Sequence, residues 1–522
     1  MKFVNYVAGK ALLYGIGTTA AYPYFKAELE NNGYKEGAWE GLSYVYKETG
    51  NDSALRALIE NRESRNAVPY DIRSEYFFRN GDWISYYGMR FSGMFDTLPL
   101  WGFVGALAIT FIWLLYLYRL NFIGTIRISG MLLTVCIGVL LTMTSWSIYG
   151  FYKYVLHFGI TGNMMNDFLY CIFGIGFIEE LVKLIPFLII LYFTKIISRP
   201  VDYLIIASCS GLGFALFENL LYISSYGLDV IHSRALTASV AHMFSSVVLA
   251  YGFILQRFRY PDKKWIIPLF FFLASLAHGF YDFWLLSPAV KNLAVITLLF
   301  FLSEITVLSV LFNAGLNQSV PANTPSSALA INTKLLAGNI AGVFVLLFAL
   351  EYVAITFVYG TFYANHTLTN SFLSGGYLVF FISLRLSSID IVPGEWPRLD
   401  FLRSFLPSGL FGGFRRNHNA AVGLTLIFKP GDATSALSPH LPFTGKVIRR
   451  LKLKEENRWF EIQLSKPVQF NFIDISTVFV LPAESNGVLA QNEETPVKVF
   501  RLSEDPETGK KKLIYLDDVV AG

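Results

Sequence analysis

Charged residues are scarce in this sequence. Asp, Glu, Lys and Arg make up 15% of its 522 residues, whereas about a quarter of the residues in an ordinary soluble domain are charged. Hydrophobic residues make up 54%, and the mean hydropathy is positive. This composition excludes an ordinary soluble globular protein and indicates a multi-pass membrane protein.

The sequence also lacks a dense basic patch and a disulfide framework. The formal net charge is +4, and the basic residues lie mainly in short loops between apolar runs, which disfavours nucleic acid as a partner. The three cysteines, Cys136, Cys171 and Cys209, all lie inside apolar runs, so the soluble parts have no cysteine pair to link. No HExxH motif is present, and no serine or cysteine has a recognisable nucleophile setting.

Apolar runs of about 20 residues, the length that crosses about 30 Å of hydrocarbon, recur from residue 98 onward. They predict eight membrane spans, at residues 98–118, 130–152, 167–194, 203–223, 235–256, 265–286, 292–313 and 335–359. A ninth run at 370–386 is shorter and carries Arg385, so it is either a further span or a buried strand. The main helical core therefore covers 98–314, and one or two further spans lie within 334–386.

The segments outside these runs have a different composition. Residues 1–24 are apolar but interrupted by Lys10, which fits a signal peptide, a weak first span or the first helix of a soluble domain. Residues 25–97 show helical periodicity and predict a small soluble helical module, or alternatively a plain cap on the first span. Residues 315–333 predict an exposed loop. Residues 387–522 alternate with period two and predict a soluble all-β sandwich or barrel.

Four consecutive predicted spans each carry a set of polar residues. The motifs are EELVK (179–183), FENLLY (217–222), HMFSS (242–246) and HGFYD (278–282). Within each motif two polar residues stand four apart, namely Glu179 and Lys183, Glu218 and Tyr222, His242 and Ser246, and His278 and Asp282. Residues four apart share one face of a helix. Four successive helices therefore each present a polar face.

These polar faces predict one shared cavity. An ionised side chain in the middle of a bilayer costs about 3 kcal/mol on insertion scales, so such residues face a protein interior and are commonly functional. Basic residues concentrate in the loops after the first, third and fifth spans, which places those loops in the cytoplasm. With this orientation Glu218, His242 and His278 lie at comparable depth in the outer half of the membrane, with Glu179 slightly deeper.

Carboxylates and imidazoles in one intramembrane cavity suit the activation of water. A glutamate can act as general base on a water that attacks a peptide carbonyl, and a histidine can share that water or donate to the oxyanion. Alternatively, two histidines and one or two glutamates can bind zinc. The candidate ligands for zinc are Glu179, Glu218, His242 and His278. The residue types leave both alternatives open.

The order EELVK, FENLLY, HMFSS, HGFYD in four successive helices resembles the PrsW family of intramembrane proteases, which is distantly similar to the CAAX-processing and bacteriocin-processing membrane proteases. The resemblance covers residues 166–286. The family has been described both as metal-dependent and as glutamic, so the resemblance leaves the cofactor unknown, with zinc as the candidate.

The resemblance implies roles for individual residues. The implied catalytic residues are Glu179, Glu180, Glu218, His242, His278 and Asp282. The implied supporting residues are Lys183, Asn219, Tyr222 and Ser246. In this assignment Lys183 is the electrostatic partner of the acidic pair, and Asp282 orients His278. Glu304 and Glu351 lie outside the shared core, and each is either a structural acid bonded across helices or part of a wider cavity.

The sequence thus predicts an all-α polytopic membrane protein with a β domain, acting as an intramembrane endopeptidase on a membrane-anchored protein. The expected location is a bacterial cytoplasmic membrane, with residues 25–97 and 387–522 contacting protein partners. The main alternative is a transporter or channel that relays protons or ions through the intramembrane Glu and His residues. A protease fold retained as a binding scaffold is a third alternative.

Overall fold

The computed structural model describes most of the chain. The described residues are 3–122, 126–320, 332–389, 391, 394, 396, 425–430, 441–452, 458–470, 473–482, 495–504 and 511–521. They form two compact units, one from residues 1–99 and 143–159, and the other from residues 100–142 and 160–522.

The first unit is helical. Its helices are α1 (Val4–Gly15), α2 (Thr18–Glu30), α3 (Lys35–Glu48), α4 (Asp52–Glu60), α5 (Tyr70–Arg79), α6 (Trp83–Thr97) and α9 (Ser145–Tyr154). The Glu28 carboxylate accepts backbone hydrogen bonds from Tyr34 (2.7 Å), Phe3 (3.1 Å) and Tyr6 (3.3 Å). These donors, Tyr34 first, hold the pKa of Glu28 below its ordinary value. The roles predicted for residues 1–24 as a signal or anchor and for 25–97 in protein contact stay predictions.

The second unit contains the remaining helices. They are α7 (Leu100–Leu120), α8 (Ile128–Thr142), α10 (Met164–Leu169), α11 (Phe177–Phe193), α12 (Pro200–Tyr226), α13 (Ile231–Ser233), α14 (Ser239–Ile254), α15 (Ile266–Leu286), α16 (Ala294–Ser319), α17 (Thr333–Tyr359) and α18 (Thr361–Leu386). Segments of π-helix join α10 to α11 at Tyr170–Gly176, α13 to α14 at Arg234–Ala238, and extend α14 at Leu255–Arg259. Residues 164–193 and 231–259 are therefore two continuous helical stretches.

Eight helical segments among the described residues are long and apolar enough to cross a membrane, as expected of an integral membrane protein. They are Leu100–Leu120, Ile128–Tyr154, Pro200–Tyr226, Leu228–Arg259, Ile266–Leu286, Val295–Ser319, Thr333–Tyr359 and Thr361–Leu386. Seven correspond to predicted spans. The eighth shows that the run at 370–386 is helical, so its interpretation as a buried strand is wrong. The predicted third span is helical too, but α11 within it holds three charged residues, Glu179, Glu180 and Lys183.

Two helices lie at the centre of the second unit. In the most apolar stretches of Pro200–Tyr226 and Leu228–Arg259, 83% and 94% is buried, whereas the corresponding share is at most 50% in the other candidate spans. A helix that is apolar all round and buried on all sides belongs to the core of a bundle. Helices α12 and α14 pack against each other, α11 packs against α12, and α15 packs against α14. The four predicted motifs therefore lie on four neighbouring helices.

The C-terminal region contains six antiparallel strands. They are β1 (Thr425–Pro430), β2 (Phe443–Lys452), β3 (Arg458–Phe470), β4 (Ile473–Pro482), β5 (Thr495–Glu504) and β6 (Lys511–Ala521). Each strand pairs with the next, and β6 also pairs with β1 through Phe428 and Ala521, which closes a barrel. Alternate residues such as Val447, Ile462 and Val480 point inward and form its apolar core. Two stretches lie outside the described residues: 397–424, near the start of the predicted β domain, and 321–331, which is most of the predicted loop. The beginning of that predicted loop is helical, because α16 extends to Ser319.

Candidate active site

Lys183 lies at the centre of a buried polar cluster. Its ammonium is 2.5 Å from Glu180 Oε1, 3.0 Å from His242 Nδ1 and 3.2 Å from His278 Nδ1. The side chains of Lys183 and Glu180 are 1% and 0% exposed. The ammonium of Lys183 thus pairs with the carboxylate three positions earlier on the same helix, that of Glu180.

Two carboxylates orient the two histidines. His278 Nδ1 is 2.7 Å from Glu180 Oε1, and His242 Nε2 is 2.7 Å from Glu218 Oε2. An ionised carboxylate only accepts hydrogen bonds, so we assign the ring hydrogens to these two nitrogens. In the neutral rings the lone pairs are then on His278 Nε2 and His242 Nδ1. Glu180 and Glu218 thus fix which nitrogen of each ring is available for chemistry.

Glu179 faces both of these lone-pair nitrogens. Its Oε2 is 3.3 Å from His278 Nε2 and 3.9 Å from His242 Nδ1, and the residue is 5% exposed. Asp282 Oδ2 is 3.5 Å from the same His278 nitrogen, too far for a strong hydrogen bond. The closer contact to the ring is therefore that of Glu180, which orients His278 more directly than the predicted Asp282 does.

Arg234 joins this cluster, although the sequence interpretation missed it. Its guanidinium donates to the Glu218 carboxylate and, through Nε, to Asn219 Oδ1 at 2.8 Å. It also lies over the Tyr222 ring, with 4.1 Å between Cζ and the ring centroid. The predicted fifth span begins at residue 235, so the prediction places Arg234 in the preceding loop. In the structure the candidate span begins at Leu228, so Arg234 lies inside a helical stretch.

The structure brings together nearly all of the predicted site residues. Successive contacts link seven of them, namely Glu179, Glu180, Lys183, Glu218, His242, His278 and Asp282. Asn219 and Tyr222 contact Arg234 rather than the histidines. Ser246 is one turn after His242, but its hydroxyl makes no hydrogen bond within the described part of the chain. The catalytic and supporting roles themselves stay predictions.

Both π-helical segments that enter the cluster lie just before site residues. Tyr170–Gly176 precedes Glu179 and Glu180, and Arg234–Ala238 precedes His242. A π-turn inserts a residue into an α-helix and changes the direction of the side chains around it, and such turns are frequent at functional sites. Trp113 Nε1 donates to the carbonyl oxygen of Ala235 at 2.9 Å, which stabilises the second segment.

Comparison with known proteins agrees with the motif pattern. Residues 126–311 match a family described as "PrsW family intramembrane metalloprotease". The helical core resembles PrsW proteases. "Protease PrsW" of Shouchella clausii is 33% identical over 108 residues, which are 21% of this chain and 50% of that protein. "Protease PrsW" of Bacillus subtilis is 32% identical over 137 residues, which are 26% of this chain and 61% of that protein.

The similarity is confined to part of each protein. The chain spans about half the length of the curated PrsW proteases that it matches. No solved structure matches the chain. The resemblance to the PrsW family that the four motifs predict is confirmed for the core, while α17, α18 and the barrel lie outside the matched residues.

The PrsW family description implies a metal, and the donor set fits one. Ligand atoms of Glu179, His242 and His278 all lie within 4.8 Å of one another. Two imidazoles and one carboxylate form a zinc-binding set found in catalytic sites, and carboxylates that hold the other ring nitrogens, as Glu180 and Glu218 do here, typically support such ligands. Glu218, a predicted fourth candidate, is not part of this group because it bonds Arg234 and His242 Nε2.

The backbones of α12 and α14 approach closely beside His242. A Cβ atom at Gly211 would lie 2.6 Å from the His242 carbonyl oxygen and 2.9 Å from Ser246 Oγ. We therefore expect Gly211→Ala to push α14 away and to lower the free energy of unfolding by about 1–3 kcal/mol. Denaturant unfolding of the purified protein in detergent would measure this loss.

Gly338→Ala provides the matched control. Gly338 is also helical, but no atom lies within 4 Å of a Cβ at that position. Since alanine favours the helix by about 1 kcal/mol over glycine, this control should be neutral or stabilising. Equal stability of the two variants would contradict the close approach at Gly211.

Proposed function

We propose that this protein is an intramembrane endopeptidase that hydrolyses a peptide bond of a membrane-anchored protein. The observation that carries the proposal is the position of Glu179, whose carboxylate faces the lone-pair nitrogens of His242 and His278 inside a buried cluster. The similarity of residues 126–311 to the PrsW protease family supports the same reaction class.

Glu179 is the general base in the form of this proposal that uses no metal. Its Oε2 takes a proton from a water molecule, and the water oxygen forms a bond to the carbonyl carbon of the scissile peptide. His278 Nε2, 3.3 Å from that oxygen, accepts a hydrogen bond from the other O–H of the same water and holds it in place. The proton on Glu179 then passes to the amine nitrogen as the C–N bond breaks.

Lys183 and Glu180 prepare the site for this reaction. The ammonium provides a fixed positive charge beside the developing oxyanion, where low local polarity strengthens its effect. Glu180 balances that charge in the resting site and orients His278 through Nδ1. Glu180 is therefore a positioning residue, whereas Glu179 touches the reacting water.

The proposal has a metal-dependent and a glutamic form. A zinc ion held by Glu179, His242 and His278 would supply a Lewis acid and a bound water that ionises near neutral pH. In that form the Lys183 ammonium, which lies 3.0 Å from His242 Nδ1, would have to leave this nitrogen free for the metal. In the glutamic form the ammonium stays in place.

The substrate and location are part of the proposal. Cleavage within a helical membrane bundle requires a substrate with a membrane anchor, and the eight apolar helices are consistent with an integral membrane enzyme. The similar proteases are from bacteria, which supports a bacterial cytoplasmic membrane. In the sequence, residues 25–97 precede the matched core and residues 387–522 follow it, and both segments would contact partner proteins.

Reconstitution tests the proposal. We expect the purified chain in liposomes to cleave single-span reporter peptides, detected by mass spectrometry of the fragments. Metal content and the effect of a chelator on cleavage separate the two forms: about one zinc per chain with loss of cleavage supports the metal form, and undiminished cleavage in chelator supports the glutamic form. Proton or ion flux across the liposomes without any cleavage would overturn the proposal in favour of a transporter.

A further inference from the structure

A second polar cluster connects the helices after the matched core to the candidate active site. His232 Nδ1 is 2.9 Å from Glu351 Oε1 on α17 and 3.0 Å from Ser371 Oγ on α18. The His232 backbone N–H donates to the same Glu351 oxygen at 3.3 Å. Glu351 and Ser371 are 3% and 1% exposed. Both lie outside residues 126–311, which match the protease family.

The residue types of this cluster are those of a Ser-His-acid triad, but the geometry is not. In a triad the acid bonds one ring nitrogen and the serine bonds the other, so that the histidine can take the serine proton. Here Glu351 and Ser371 both approach Nδ1 of His232. The Ser371 hydroxyl also donates to the Thr367 carbonyl oxygen at 2.9 Å, so it is not activated as a nucleophile. The cluster therefore holds His232 in place.

His232 is close to the candidate active site along one helical stretch. It lies two residues before Arg234, which binds Glu218, which in turn bonds His242 Nε2. Glu351 bonds both the ring and the backbone N–H of His232, so it fixes the start of the stretch that carries Arg234. Displacement of this start would move the guanidinium and, with it, the carboxylate that orients His242.

We propose that Glu351 is a positioning residue for the candidate active site and acts through His232 and Arg234 on the Glu218–His242 pair. This inference rests on the proposed function for its activity test. It makes α17, which lies beyond the matched protease core, a working part of the site. Glu351 is thus an acid bonded across helices, one of the two predicted alternatives, and in this proposal it also positions the site.

Three variants separate positioning from general packing. Glu351→Ala removes both hydrogen bonds, whereas Glu351→Gln keeps an amide oxygen that can accept them. Tyr352→Phe is the matched control. The Tyr352 hydroxyl on α17 donates to Asn365 Oδ1 on α18 at 3.0 Å, a contact that does not involve His232. A small displacement of a catalytic group costs up to about 100-fold in rate. We expect kcat for cleavage to fall about tenfold in Glu351→Ala with KM unchanged, and to change less than about threefold in the other two variants.

A double-mutant cycle tests the route of the effect. If Glu351 acts through Arg234, Glu351→Ala should cause little further loss of kcat in an Arg234→Gln background. Full additivity of the two losses, or an equal loss in Tyr352→Phe, would overturn the inference.

Hydrogen exchange separates failure of this inference from failure of the proposed function. Amides of residues 232–238 should exchange faster in Glu351→Ala than in the wild type or in Tyr352→Phe. Wild-type protein that does not cleave, combined with this faster exchange, would reject the protease while keeping the structural connection. Unchanged exchange together with unchanged kcat in Glu351→Ala would reject the positioning role alone.

Discussion

Glu179→Gln is expected to reduce cleavage at least about 1,000-fold without loss of the folded state. Glutamine has nearly the same shape as glutamate, but its amide cannot take a proton from water, and general bases contribute about 10²–10⁴-fold to rate. The carboxylate of Glu179 is also a member of the candidate metal-ligand group, so the substitution removes activity in either form of the proposal. Single-turnover cleavage of a reporter peptide in liposomes would measure the loss.

Two further variants make this result specific. Glu48→Gln applies the same chemical change to an exposed residue at the end of α3 and should leave cleavage at the wild-type rate. Glu180→Gln should reduce cleavage less than Glu179→Gln does, because an amide oxygen still accepts a hydrogen bond from Lys183 or His278. A variant Glu179→Gln that cleaves within a few fold of wild type would eliminate Glu179 as the base.

Lys183→Met is expected to destabilise the folded protein by about 3–5 kcal/mol and to abolish cleavage. Removing one partner of a buried ion pair leaves the other charge without compensation. The Glu180 side chain is 0% exposed, so water cannot solvate the charge that remains. His242 Nδ1 would also lose its ammonium donor. Denaturant unfolding in detergent would measure the change in stability.

A compensating variant separates charge from packing. Lys183→Met combined with Glu180→Gln removes both charges, and we expect it to recover most of the lost stability while remaining inactive. Arg56→Met is the control, since the Arg56–Glu60 pair is exposed, with side chains 64% and 62% accessible. Loss of such a surface pair should cost at most about 1 kcal/mol. Similar stabilities for Lys183→Met and the double variant would contradict a dominant role for the buried charge.

The membrane-spanning architecture could be predicted from the sequence because hydrocarbon imposes long apolar runs. Hydropathy therefore locates seven of the spans. It does not decide whether 370–386 is a helix or a strand, because Arg385 lies near the end of that run. The barrel was less determined. Alternation indicated β structure, but closure depends on pairing of β1 with β6, about 90 residues apart, and local sequence carries no signal for so distant a contact.

The candidate site was predictable as a set of residues but not as a geometry. Spacing placed Lys183 equally near Glu179 and Glu180, and only the rotation of α11 against α14 and α15 selects Glu180. The sequence analysis does not include Arg234, because a charged residue at the end of an apolar run is normally assigned to a loop. In the structure the Glu218 carboxylate balances the Arg234 charge inside the bundle. Ser246 follows His242 by one turn, yet it lies against Gly211, since close packing of α12 excludes it from the polar cluster.

The helix that carries Glu179, Glu180 and Lys183 has a consequence for biogenesis. At about 3 kcal/mol for each ionised residue, this segment by itself enters hydrocarbon poorly. Glu180 and Lys183 also contact His242 and His278, which are on helices that are synthesised later. Stable insertion of this helix is therefore coupled to the arrival of the following ones, so Glu179, Glu180 and Lys183 become fully buried only when the bundle has been completed.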